Sequence, residues 1–424
     1  MKKVLILGII SLIVPEVFAQ NANITRVLSS ADGPNVFDFD LTVEWNYEMQ
    51  KAEIWREQNS SRLGKVSAMD SRKNELDVAV KFGLYHDLEL DLVFPIIIGM
   101  KTNLDAVGGR TVIDNDLGLK DNKGKSYPLF TLPVNGPQRS GFGDMKIAFK
   151  YGVLSQARDP LYPSWMIGIE YAIPTGTVMK GNNNGVSDGL HKIKLETALS
   201  HRIAFFEPYF GAWGLFRVPS GKSLFKNYGE TQKNVSPGSR IGMQVGAQFW
   251  PWWAEGHKGQ EHRYFSLDIG FEATYTFRGR EYSPLFEALA VSPDNTATMF
   301  ERQNPKYNPD KSPAVTYLSD SPLTDVGAYG SYGVKVGFNL QPIEYLNFGF
   351  HFMFKHIGDH VLTASDTGKD LNGSNSIEYG TPNDPQAPNE YNPVYNRAIS
   401  EPGHRFFVKA WNTYTFFVSL TGKY

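Results

Sequence analysis

The sequence predicts an all-β fold: a transmembrane antiparallel up-and-down β-barrel of about 12 strands, with long extracellular loops and short periplasmic turns. Three observations predict this fold: segments in which apolar and polar residues alternate, an export signal at the N-terminus, and connections between strands that are alternately long and short. The segment 37–50 reads FDFDLTVEWNYEMQ, in which every second residue is apolar. A strand directs successive side chains to opposite faces. This segment exceeds the roughly 5–6 residues of an ordinary strand and suits the roughly 9–11 that cross a bilayer.

Composition removes several other classes. The 424-residue chain contains no cysteine, which excludes a disulfide framework and any cysteine-based metal site. Its net charge of −2 argues against a basic nucleic-acid-binding surface, so we expect no nucleic-acid partner. The mean hydropathy is −0.32 and aromatic residues make up 13% of the chain. Beyond the N-terminus no apolar run reaches the ~18 residues of a membrane helix, which argues against a helical membrane protein. A transmembrane barrel can be this polar, because half of each strand faces a wet interior.

The first residues predict export. Lys2 and Lys3 precede an apolar run over 4–14, and Val17 and Ala19 supply a small-residue cleavage pattern. This pattern is typical of a secretory signal peptide. We therefore expect a signal peptide at 1–19, a short N-terminal segment at 20–35 and an outer-membrane β-barrel at 36–424. The expected location is the outer membrane of a Gram-negative bacterium.

The alternation recurs in eleven further segments. In chain order, the predicted strands cover 37–50, 76–85, 88–94, 144–153, 165–173, 192–200, 206–217, 240–249, 265–277, 326–340, 346–355 and 413–424. The seventh is ambiguous, because Tyr209, Trp213 and Leu215 compete with Phe210 and Phe216 for the same face. Links after odd-numbered strands are long, beginning with the polar stretch 51–74, and links after even-numbered strands are shorter. Outer-membrane barrels show this alternation.

Each strand then has a lipid-facing and a lumen-facing side. The predicted lipid-facing set is Phe39, Val80, Leu90, Ile147, Ile169, Leu195, Val245, Ile269, Val334, Phe350 and Val418. The predicted lumen-facing set is Asp38, Asp40, Glu44, Asp77, Lys81, Lys146, Lys150, Glu170, Lys194, Glu196, Arg240, Asp268, Glu272, Lys335, His351 and Lys409. An acidic wall facing a basic wall would orient a dipolar solute. Alternatively, the charges pair with neighbours and brace a narrow barrel.

Three segments resemble a known family. FGLYHDLELDLVFPI at 82–96, GFGDMKIAFKYGVL at 141–154 and IPTG at 173–176 are similar to the phenol meta-pathway outer-membrane (phenol degradation transporter-like) β-barrel family. Its members share a short turn between two strands, a Gly-x-Gly-Asp strand opening and a Pro-Thr-Gly strand exit. The resemblance, confined to 82–176, implies a barrel channel for uptake of small, often aromatic, substrates. No functional residue carries over, because these motifs encode turns and interface positions.

Other side chains offer alternative sites. His351 on an inward face could serve a hydrolase, but no Gly-x-Ser-x-Gly motif stands near it, so we expect no enzyme. Two aspartate groups could bind calcium, yet their spacing departs from the twelve-residue hand pattern, so we expect no metal and no cofactor. Those groups are Asp114, Asp116 and Asp121, and Asp359, Asp366 and Asp370. The tryptophans Trp250, Trp252 and Trp253 could stack a ring-shaped ligand, although an interfacial aromatic girdle is the favoured interpretation.

We expect a porin-like outer-membrane channel for passive transport of a small solute, aromatic or an organic acid, through a charged lumen. The alternative is a non-conducting surface, adhesion or structural barrel whose long loops bind a partner. The expected partners are outer-membrane lipid, the small-molecule solute and the barrel-assembly machinery. That machinery would recognise the C-terminal strand, which ends on the aromatic residue Tyr424.

Overall fold

The computed structural model describes residues 22–28, 38–58, 62–114, 128–181, 183–255, 261–290, 322–378 and 390–424. The predicted signal peptide lies outside them. The twelve long strands are β1 Phe39–Gln58, β2 Arg62–Tyr85, β3 Leu88–Ala106, β4 Met145–Leu154, β5 Ser164–Ile173, β6 Leu190–Ser200, β7 Phe206–Pro219, β8 Arg240–Glu255, β9 Glu261–Thr276, β10 Tyr329–Ile343, β11 Leu346–Ile357 and β12 Phe406–Lys423. Within the described ranges, no helix is long and apolar enough to cross a membrane.

These strands form a closed antiparallel barrel. Each pairs with its neighbours in chain order, and β1 pairs with β12 from Asp40 opposite Lys423 to Arg56 opposite Phe406. Closure gives every strand two partners, so none presents an unpaired edge to lipid, where each unpaired backbone group costs several kcal/mol. The predicted fold class is confirmed, including the number of strands.

The outer face carries an apolar belt. The side chains of Ile169, Leu195, Val245 and Ile269 are 46%, 48%, 51% and 50% exposed, while their strand neighbours are more buried. The other predicted lipid-facing residues are also exposed or half-buried. In water such a surface would be costly at about 25 cal/mol per Å². A belt of this kind around a closed barrel indicates a membrane-spanning protein.

The polar stretch 51–74 is not a loop, contrary to the sequence prediction. β1 and β2 continue through it with 20 and 24 residues, and only 59–61 lie between them. Ala52, Ile54 and Met69 face inward and are buried there. The strands persist because apolar side chains still alternate inward, although the outward positions are too polar to show a strong alternation.

The connections differ at the two ends. The short-turn end holds 86–87, 201–205 and 344–345, and there the backbone N–H of Tyr424 donates to the carbonyl of Phe39 over 2.8 Å. At the other end the long connections fold into what we call the cap, the described residues 107–114, 128–144, 279–290, 322–328, 358–378 and 390–405. Its short elements are strands Val112–Ile113, Phe130–Thr131, Val134–Asn135, Arg139–Phe142, Gly279–Glu281, Thr324–Val326 and His360–Val361, and helices Phe286–Leu289 and Arg397–Ser400.

The cap has an apolar core inside the extended barrel wall. Leu129, Leu285 and Leu362 from three connections pack with Ile54 and Phe406 from β1 and β12, all of them buried. These side chains are removed from water by loops and wall together, at about 1.5–3 kcal/mol each. The loops therefore fold onto and into the barrel end instead of projecting away from it.

Candidate functional site: the barrel interior

The barrel interior is lined by charged side chains that alternate with the apolar belt. Ten of the residues that the sequence predicts to face the lumen are buried: Asp40, Glu44, Asp77, Lys146, Lys194, Arg240, Asp268, Glu272, Lys335 and His351. Asp38, Lys81, Lys150, Glu170 and Glu196 are half-buried in the same alternation. Buried charges are expensive unless they are paired and hydrogen-bonded, so their contacts decide what this surface can do.

One ion-pair cluster spans β2, β3 and β4. The Lys150 Nζ lies 2.6 Å from the Asp91 carboxylate and 3.3 Å from the Glu89 carboxylate. The Lys81 Nζ lies 3.8 Å from Glu89. Two lysines and two carboxylates therefore balance locally.

A second cluster spans β7 and β9 to β11. The Lys355 Nζ contacts Glu272 over 2.7 Å, and the Lys335 Nζ lies 3.7 Å from Asp268. The Tyr209 hydroxyl donates to the other Asp268 oxygen over 2.9 Å. On β6, Lys194 and Glu196 pair over 2.7 Å. These distances favour the interpretation in which neighbouring charges pair across adjacent strands over the interpretation of two opposed walls.

His351 lies within the second cluster. Its side chain is fully buried, and its Nδ1 lies 3.9 Å from the Asp268 carboxylate. Its Nε2 is 3.4 Å from the Asn339 amide oxygen. The direct histidine–aspartate contact is thus too long for a hydrogen bond.

The placement of Lys409 in the lumen is wrong. Lys409 is half-buried on the outer face, where its Nζ lies 5.1 Å from the centre of the Trp55 ring and it pairs in register with Glu53. A β-bulge is the cause: Ala410 adopts a left-handed backbone with φ of 48°, and the register shifts between Lys51 and Glu53. One extra residue in a strand reverses the facing of every residue beyond it.

Sequence reasoning missed an inward pair because it assigned the polar stretch to a loop. Lys73 and Glu75 on β2 form a 2.6 Å ion pair in the interior, beside Glu48 of β1. The signal was present, since Glu75 continues the alternation of Asp77, Ala79 and Lys81. The same reasoning left β7 unresolved, and the structure places Tyr209 and Leu215 inward with Phe210 and Phe216 outward.

The N-terminal segment 22–28 lies inside the short-turn end of the barrel. Ile24 is buried in a cluster with Met166, Ala198 and Tyr209. The Leu28 backbone N–H donates to the Glu89 carboxylate over 2.7 Å. The hydroxyls of Thr25 and Ser200 lie 2.7 Å apart. A part of the chain therefore occupies the interior directly beside the first ion-pair cluster.

Buried ion pairs join the separate segments of the cap to one another. The Arg139 guanidinium contacts the Glu287 carboxylate over 2.7 Å and donates to the carbonyl of Asn183 over 2.7 Å. Arg280 and Asp325 form a second buried pair at 3.2 Å. Burial raises the pKa of Glu287 above its ordinary value of 4.5, against the opposing effect of Arg139.

Of the three tryptophans, one is placed as the interpretation of an interfacial aromatic girdle requires. Trp250 is buried, and the Arg202 guanidinium lies 4.2 Å from its ring centre and 4.8 Å from that of Trp253. Only Trp252 is well exposed on the outer face, at 47%. Cation–π packing at the short-turn end therefore uses two of the three rings.

Two of the aspartates in the calcium hypothesis have other partners. Asp366 contacts Arg278 over 2.9 Å and Lys233 over 3.3 Å, and Asp370 accepts backbone N–H groups of its own turn. Asp116 and Asp121 lie outside the described residues. In the part of the chain that is described, no three acidic or histidine side chains are placed to hold a metal ion.

Comparisons with known proteins give distant structural similarities. No family model matches the sequence, and no curated protein matches it. An outer membrane channel from Pseudomonas putida F1 is 10% identical with a TM-score of 0.40, over 91% of this chain and 95% of that chain. The outer membrane protease OmpT from Escherichia coli is 8% identical with a TM-score of 0.31, over 94% and 100%. A Pseudomonas aeruginosa FadL homologue is 7% identical with a TM-score of 0.33, over 91% and 90%.

The expectation that the chain is not an enzyme is corrected. Barrels similar to this one include a protease, so the argument from a missing hydrolase motif does not exclude catalysis by a barrel wall. At these identities the similarity concerns the fold alone and assigns neither proteolysis nor conduction to this chain.

Proposed function

We propose that this chain is an outer-membrane channel through which a small solute passes down its gradient. The observation that supports the proposal is the interior face, where inward carboxylates and amines line the wall between the N-terminal segment and the cap. Such a face is suited to hydrated solutes, because its charged and hydroxyl groups can bind water and polar groups. The resemblance of 82–176 to a family of uptake channels is consistent with this proposal.

Both ends of the barrel are occupied in this conformation. The N-terminal segment lies in the short-turn end and the cap core fills the other end. Conduction therefore requires the occupant of each end to leave a passage. We propose a gated channel rather than a permanently open pore.

A second function has its own supporting observation. The cap carries an apolar core and buried ion pairs, which favour a rigid surface for binding a partner outside the cell. A non-conducting surface barrel would have this cap and would show no conductance under any condition.

Charge neutralisation in the lumen tests the channel. We expect Asp38→Asn, Asp40→Asn and Glu44→Gln together to shift the reversal potential toward anions in a salt gradient, because three inward carboxylates are removed. The shift should shrink at high salt, where the Debye length falls from about 10 Å at 0.1 M to about 3 Å at 1 M.

Three exposed acids provide a matched control. Asp105→Asn, Glu230→Gln and Asp359→Asn remove the same charge from exposed positions and should leave the reversal potential unchanged. If lumen and control variants behave alike at low salt, the lumen carboxylates do not line the conduction path.

A further inference from the structure

The N-terminal segment contacts the wall in the manner of a bound ligand. Its Ile24 side chain enters an apolar pocket formed by Met166, Ala198 and Tyr209. Two polar contacts flank that pocket, one at Glu89 and one at Ser200. A small apolar surface with a few placed polar groups is the usual composition of a solute site.

Both polar contacts require a donor from the occupant. The Glu89 carboxylate accepts the Leu28 N–H over 2.7 Å. The Ser200 hydroxyl donates its single proton to Glu207 over 2.9 Å, so towards Thr25 it can only accept. An occupant bearing N–H or O–H groups satisfies both positions, whereas a carboxylate satisfies neither.

The surrounding charges reinforce this selection. Glu89 and Asp91 are balanced by Lys81 and Lys150, so the cluster has no excess of positive charge for an anion. A solute carboxylate would bring its charge against the Glu89 oxygen that now receives the Leu28 N–H. An ammonium or hydroxyl group can take the place of that N–H.

We propose that this mouth is a solute-binding subsite whose resident occupant is the chain's own N-terminal segment. When the segment leaves, the subsite takes a small amphipathic molecule with an apolar body and an amine, amide or hydroxyl donor, in preference to an organic acid. The role of this subsite in solute passage rests on the proposed channel function, whereas the competition between solute and segment can be tested without it. Solute and segment compete for the same contacts, so a bound solute shifts the population toward the displaced segment.

Thiol labelling tests the competition without requiring conduction. The chain has no cysteine, so Thr25→Cys introduces a single thiol, and Val27→Cys is a second reporter on the same segment. Hexylamine should raise the maleimide-labelling rate of Cys at position 25 at least about fivefold, and hexanoate of equal length less than about twofold, because only the amine can donate to Glu89. The exposed Lys222→Cys variant should respond to neither.

Three labelling outcomes would contradict the proposal. Equal acceleration by both probes would overturn the donor selectivity, and acceleration by neither at either reporter position would overturn the subsite. A faster rate with hexanoate alone would reverse the assigned solute class.

A disulfide lock tests whether the segment obstructs the path. Thr25→Cys with Ser200→Cys should close a bond, since the two hydroxyl oxygens are 2.7 Å apart. The control pair Thr42→Cys with Thr421→Cys joins β1 to β12, where the hydroxyls are 2.9 Å apart. Oxidation should lower the bilayer conductance of the first variant at least about fivefold relative to its reduced form, and leave the control unchanged.

The two readouts separate this proposal from the channel function. If labelling responds to hexylamine but no variant conducts, the subsite stands and the channel is wrong. If the locked and reduced forms conduct equally, the segment does not obstruct the lumen, and its role in solute passage is overturned while the channel stands.

Discussion

The direction of each side chain in the barrel wall depends on how many residues separate it from the nearest bulge. Simple alternation predicts that Asp268 and Glu272 face inward, and the structure buries both. Lys409 was misplaced because alternation carries no sign of the bulge at Ala410. A non-glycine residue with positive φ is uncommon, so sequence alone gives no reason to expect one there.

Aromatic residues limit the same argument in β7. Tyr209 and Phe210 are similar in size and apolarity, so a hydropathy pattern cannot rank them. The Tyr209 hydroxyl decides, because inside the barrel it donates to Asp268, whereas in lipid it would lack a partner. A rule that counts the tyrosine hydroxyl as polar would predict which side chains of β7 face the lumen.

One substitution separates the two faces of a single strand. Ile169→Arg should destabilise the barrel by about 2–4 kcal/mol, because it places a charge in the apolar belt near the bilayer midplane. Glu170→Arg on the adjacent inward position should not incur that lipid cost. Urea unfolding in lipid vesicles measures both, and equal losses would count against the assignment of faces.

Whole elements were predicted more securely than their ends. All twelve strands appear where alternation placed them, because a period of two over about ten residues is a strong signal. The ends of β1 and β2 were missed since their outward positions are polar beyond the apolar belt. The outer face alone therefore underestimates the length of these strands, whereas the inward Ala52, Ile54 and Met69 carry the strand pattern.

One buried ion pair contributes to the attachment of helix Phe286–Leu289, in addition to its apolar contacts. Arg139→Leu leaves the Glu287 carboxylate without its cation, and breaking a buried pair costs about 3–5 kcal/mol. We expect faster labelling of a reporter thiol at the buried position Ala288→Cys. The control Arg397→Leu breaks an exposed pair with Glu401, which is worth about 0–1 kcal/mol. Equal labelling in both variants would contradict the assigned role.

The same carboxyl gives the cap a pH dependence. Because burial raises the pKa of Glu287 above 4.5, the folded cap binds a proton more tightly than the unfolded chain. This group therefore favours the docked cap at low pH, and its contribution is lost as pH rises through the folded pKa. Labelling at Ala288→Cys, corrected for thiolate content, should rise with pH, and Glu287→Gln should remove the rise. A rise that persists in Glu287→Gln would assign it to another group.

At the scale of the whole molecule, the sequence predicts the barrel, but it does not predict that parts of the chain occupy both ends of the lumen. The cap core joins residues far apart in the chain, such as Ile54, Leu129, Leu285 and Phe406. No local period encodes such contacts. The same holds for Ile24, whose neighbours lie on β5, β6 and β7. Both occupants of the lumen became visible only in three dimensions.

The orientation of the barrel remains a prediction that proteolysis can test. We expect trypsin to cut intact cells after Arg110, Lys222 and Lys226, which are exposed on the cap side. Arg158 is exposed at the short-turn end and should be cut only after permeabilisation. Exposed polar tips concentrate cleavage, so both sides offer a reporter. Cutting after Arg158 in intact cells would reverse the orientation.

Single-channel recording in planar bilayers tests the central claim most directly. Refolded barrel, verified by heat-modifiable migration on gels, should produce stepwise conductance, and a variant lacking 20–35 should produce larger or more frequent steps because its short-turn end is cleared. A correctly folded barrel that gives no steps with or without the N-terminal segment would contradict the channel and favour the non-conducting surface barrel.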